Sequence, residues 1–73
     1  MELEELATLS FSDPASGDEA VVVVRAGRGQ VALCISLAQN GDVEIVLGSG
    51  ELKQLIDALQ KAIPVMDGGH ETG

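Results

Sequence analysis

Apolar and polar positions alternate with a period of two over the first two-thirds of the chain, and then the period lengthens. In "LATLSF", Ala7, Leu9 and Phe11 point one way and Leu6, Thr8 and Ser10 the other, which predicts a half-buried first strand. "SDPASGDE" holds Asp-Pro and Ser-Gly, both turn formers, and reads as a loop. "EAVVVVRA" is too short and too rich in β-branched valine for a helix and predicts a second strand. A third follows in "QVALCISL", with Val31, Leu33, Ile35 and Leu37 on one face and Ala32, Cys34 and Ser36 on the other. Asn40-Gly41 is a strong hairpin signal, because both residues tolerate positive φ. It leads into "DVEIVL", where Val43, Ile45 and Leu47 alternate with Asp42, Glu44 and Val46.

After "GSG" the period becomes 3.6. Leu52, Leu55, Ile56, Leu59, Ala62 and Ile63 form one apolar stripe of a helix. Ser49 is the expected N-cap, Glu51 lies in the first turn and Lys61 in the last, with Asp57 one turn before it, and Pro64 is the expected stop. The pattern predicts an α+β fold: a four-stranded antiparallel β-meander followed by one C-terminal α-helix packed on one face, in the order β-β-β-β-α. It predicts a single domain over residues 1–73, with an ordered core over about 6–63, a flexible acidic N-terminus and a glycine-rich C-terminal tail.

One helix covers one face. The odd-numbered residues of the third and fourth strands supply the apolar face that the helix stripe needs. The other face should be polar if it meets water. The valine run instead puts two valines on each face, and Val22 and Val24 are expected to join Ala32, Cys34 and Val46 there. Apolar surface of this kind is worth roughly 25 cal/mol per Å² when buried. The expectation is therefore a homodimer or higher oligomer formed through Val22, Val24, Ala32, Cys34 and Val46. Pairing of edge strands between two chains is an alternative route.

Composition supports an assembly. At 73 residues a chain hides only about 60% of its unfolded surface and gains from a disulfide, a metal or a partner. Cys34 is the sole cysteine, and His70, the sole histidine, has no ligand-spaced companion, so neither an internal disulfide nor a structural metal is expected. The net charge of −8, with Arg25, Arg28, Lys53 and Lys61 the only basic side chains, argues against nucleic acid and anionic membranes and leaves a basic protein as a partner. No apolar run reaches membrane-spanning length, and "MELEEL" lacks the basic and apolar regions of an export signal. Those features, with one free cysteine, predict a cytoplasmic protein of bacterial type.

Candidate chemistry is sparse. In "RAGRGQ", Gly27 and Gly29 could expose backbone amides while Arg25 and Arg28 contact an anion, but the spacing matches neither GxxxxGK[ST] nor GxGxxG, and a hairpin bend of about four residues is the favoured reading. "GSGE" stands at the helix N-terminus, where Glu51 already occupies the place an anion would take. Cys34 lacks a base to activate it and reads as a packing residue. Asp42 and Glu44 share a strand face without further oxygen ligands. No catalytic, cofactor or metal residues are assigned, and an enzyme is the least supported class.

The element order over residues 6–63 is similar to that of PC4-like and Whirly transcription cofactors, a resemblance in topology alone. It implies dimers that bind single-stranded nucleic acid across a sheet, an activity that uses aromatic stacking and basic grooves. This chain has one aromatic residue, Phe11, and four basic ones. The leading expectation is thus a small, acidic, homo-oligomeric protein-interaction or regulatory module that works by surface shape and charge. An acidic decoy for a nucleic-acid-binding protein ranks second, and a single-strand binder third.

Overall fold

The structure, a computed structural model, describes residues 2–68. Four strands, β1 (Glu4–Ser12), β2 (Glu19–Gly27), β3 (Gln30–Leu37) and β4 (Gly41–Gly48), form one antiparallel sheet in sequential order, and α1 (Ser49–Met66) packs against β3 and β4. The expected β-β-β-β-α architecture is the one observed. The residues expected as a flexible tail divide: Val65 and Met66 are helical, Asp67 and Gly68 form the closing turn, and 69–73 lie outside the described residues.

The turns set the register, and two of them differ from the sequence reading. Between β2 and β3, Gly27 pairs with Gln30, so the bend has only two residues. Arg28 (φ 55°) and Gly29 (φ 76°) are both left-handed, which is a type I′ turn whose twist matches that of the strands it joins. Between β3 and β4, Leu37 pairs with Gly41 across a three-residue loop, closed by the Asn40 N–H donating to the Leu37 carbonyl at 2.9 Å. There only Gly41 has positive φ; Asn40 does not. Asn-Gly thus marks the hairpin without forming the two-residue turn. The β1–β2 loop is organised by Asp13, whose carboxylate accepts from the Ala15 N–H (2.8 Å) and the Ser16 hydroxyl (3.2 Å).

The helix differs at both ends from the expectation. Gly48, not Ser49, is the N-cap, and its N–H donates to Glu51 Oε1 at 3.1 Å, so the first-turn glutamate reaches back to the cap. Pro64 does not stop α1. It removes one intrahelical donor in the last full turn; the helix continues to Met66, and the Asp67 N–H still reaches the Ile63 carbonyl at 3.1 Å. Gly68, with φ 72°, then ends it.

The type I′ geometry makes a test. Gly29→Ala places a Cβ at positive φ and is expected to lower stability to urea by about 1 kcal/mol, whereas Arg28→Asn leaves it unchanged or raises it. Equal losses in the two variants would contradict the turn.

Candidate functional site

Cross-strand partners share a face of the sheet, so the register assigns every side chain to a side. Even positions of β2 pair with odd positions of β3, and these with odd positions of β4. One row runs Leu9, Val22, Ile35, Val43; the next runs Ala7, Val24, Leu33, Ile45. Both rows are apolar from edge to edge, with Glu4 entering this face only at the β1 end of the row Ala26, Val31, Leu47. α1 starts over this face, with Leu52 beside Val31 and Leu47 in a common recess. A register shift between Glu5 and Ala7 leaves Leu6 unpaired and brings it to the same recess, opposite to the side that strict alternation predicts.

The opposite face is mixed. It carries Val21 and Val23 with Cys34 and Ser36, and Arg25 with Ala32 and Val46. The expected interface set is therefore split. Ala32, Cys34 and Val46 do share a face, but Val22 and Val24 stand on the other one, because a two-residue turn pairs even with odd positions. On the mixed face the polar groups meet one another. Thr8 Oγ1 donates to Glu5 Oε2 (2.6 Å), and Ser36 Oγ donates to Asp42 Oδ1 (2.7 Å). Arg25 reaches across β3 to Glu44 at 3.5 Å, and beneath that span Ala32 is only 1% exposed. The pair is about half solvated and contributes little to stability.

The two arginines of the turn have different surroundings. The Arg25 guanidinium faces Glu44, while Arg28, at the exposed tip, borders a shallow recess with Glu2 and Glu4. Carboxylates at both places oppose an incoming anion. Among the described residues, no group of three or more Asp, Glu, His and Cys side chains stands close enough to hold a metal, and no helix is long and apolar enough to cross a membrane.

The feature missed at the sequence level lies on the helix side. α1 contains no buried residue. Its stripe stays open at Leu59 (57% exposed) and Ile63 (58%), and the sheet face it was expected to cover stays open at Val43 (62%) and Ile35 (47%). Simple dimensions could have revealed this: a helix is about 10 Å across with its side chains, and four strands span about 15–19 Å. The chain also runs 44 Å along its longest axis, beyond the roughly 30 Å of a nine-residue strand or 27 Å of an 18-residue helix, so α1 extends past the sheet. No protein-family model, no curated protein and no solved structure matches the chain.

Titration with millimolar inorganic phosphate tests the turn. The amide resonances of Ala26 to Gln30 are expected to remain in place; saturable shifts there would identify an anion site.

Proposed function

We propose that the protein is a non-catalytic interaction module whose working unit is a homodimer, joined through the apolar helix-side face and presenting the acidic mixed face outward. The observation that carries this reading is surface left over after folding. The chain exposes 5431 Å² at 7.5 kDa, against about 4,250 Å² expected for a folded monomer of that mass. The excess, roughly 1,200 Å² over the whole chain, is large enough to hold a standard interface of ~800 Å² per partner. A radius of gyration of 14.5 Å, against about 11 Å for a compact chain of this length, supports the same reading.

The outward face suits a cationic partner. It carries Glu5, Glu19, Asp42 and Glu44 with only Arg25 in opposition, on a chain of net charge −8. A basic protein that otherwise grips nucleic acid is the second reading, since carboxylates spaced along strands can stand in for phosphates. Direct nucleic-acid binding has less in its favour. Phe11 pairs with Ala20 on the apolar face, and Arg25, the basic residue of the mixed face, is engaged by Glu44.

Two neighbours on one strand test the face assignment. Ile45 and Val46 are similarly exposed in the single chain, at 45% and 55%, but emerge on opposite sides of β4. In size exclusion with light scattering the protein is expected to run as a dimer at micromolar concentration. Ile45→Asp should weaken the dimer at least 100-fold, the effect of about 3 kcal/mol spent on a buried carboxylate. Val46→Asp should leave it intact. A folded wild-type monomer, or dissociation by Val46→Asp in place of Ile45→Asp, would contradict the proposal.

A further inference from the structure

We infer that the partner surface for each helix is the sheet of a second copy: α1 crosses from its own sheet onto the helix-side face of its twin, and the twin's helix returns the contact. This rests on the dimer proposed above and specifies how it is built.

Three observations point to it. First, the chain leaves two complementary apolar surfaces without cover, the distal half of α1 and the rows of the sheet away from its root. A foreign helix lying in the sheet would satisfy only the second. A second copy satisfies both at once, by one two-fold operation. Second, α1 contacts only β3 and β4, with Leu52 in the recess beside Val31 and Leu47, and passes beyond the sheet with Ile56, Leu59 and Ile63 still exposed. Third, the stripe keeps one azimuth along the helix. Leu52, on the home sheet, and Leu59 and Ile63, farther along, all face the same side.

That azimuth restricts the assembly. A stripe on one side of a straight helix cannot touch its own sheet below and a partner's sheet above. Both sheets must therefore present their apolar faces in the same direction, lying alongside one another with the two helices forming a common layer over them. Face-to-face stacking of sheets is excluded by this geometry, as is stacking through the mixed face. Both edges of the sheet, β1 and β4, are free of neighbours within the chain, which leaves room for a second sheet alongside. The charged side chains Lys53, Asp57 and Lys61 stand off the stripe and remain in solvent, with Lys61 and Asp57 paired at 3.1 Å.

The native sequence permits a test without substitutions. A sample mixed from isotope-labelled and unlabelled chains, unfolded and refolded together, reports only contacts between different copies in a filtered nuclear Overhauser experiment. Methyl groups of Leu59 and Ile63 should show contacts to Val43 and Ile35 of the other copy. Contacts between copies confined to sheet and sheet, or to helix and helix, would overturn the exchange while leaving the dimer standing. A monomer by light scattering on the same sample would remove the dimer as well. As a second route, in a Cys34→Ser background, chains carrying Leu59→Cys mixed with chains carrying Val43→Cys should form disulfides between the two species on oxidation. Val43→Cys chains pairing only with themselves would again oppose the exchange.

Discussion

A four-stranded sheet whose large apolar side chains emerge on one side needs a cover nearly twice as wide as a single helix. That mismatch governs the rest of this structure. Among the described residues the only strongly buried side chains are small or β-branched, Ala20, Val31 and Ala32, while leucines and isoleucines of both sheet and helix remain half in water. Completing the burial of one such side chain is worth about 1 kcal/mol. Summed over the open stripe and the open rows, this is of the order of the whole stability of a small domain, and comparable with the cost of bringing two chains together. The chain has no disulfide to supply the difference, with Cys34 its only cysteine.

The elements themselves were legible because their causes are local. Valine runs, the change from a period of two to 3.6 and the glycine-bearing turns each act over a few residues, and all five elements lie where those signals place them. The faces were less legible, because face depends on register and register on turn length. A bend of two residues, like one of four, pairs even positions of β2 with odd positions of β3. Setting Val22 and Val24 beside Ala32, Cys34 and Val46 would need a bend with an odd number of residues, since one residue of difference moves a whole strand's side chains to the opposite side. The type I′ turn forms at Arg28-Gly29, where the sequence signal is the weaker, and not at Asn40-Gly41, where it is the stronger. The bulge that redirects Leu6 is likewise invisible to alternation. The expected small-residue interface was wrong in its grouping for this reason, since it joined residues from both faces. The need for a partner was drawn from composition and from an over-apolar sheet face, and the wider open apolar surface of the structure lies on the other side of the sheet.

The two faces then divide the work. On the helix side, shape and apolar area favour a second copy. On the mixed side, side chains engage one another, Thr8 with Glu5 along β1 and Ser36 with Asp42 and Arg25 with Glu44 between strands, leaving an acidic, hydroxyl-rich surface. Such a surface disfavours anionic partners. Function, on this account, resides in what meets that face, and the dimer serves to display two copies of it in fixed relation.

The central claim is that folding and association are one event. Urea unfolding followed by circular dichroism over a hundredfold range of protein concentration tests it most directly. If the dimer is the folded unit, the midpoint rises with concentration, by the amount that about 2.7 kcal/mol of mass action contributes across the range. A midpoint independent of concentration, with the full helical signal retained at the lowest, would show that the chain folds alone and that its open apolar face has another explanation.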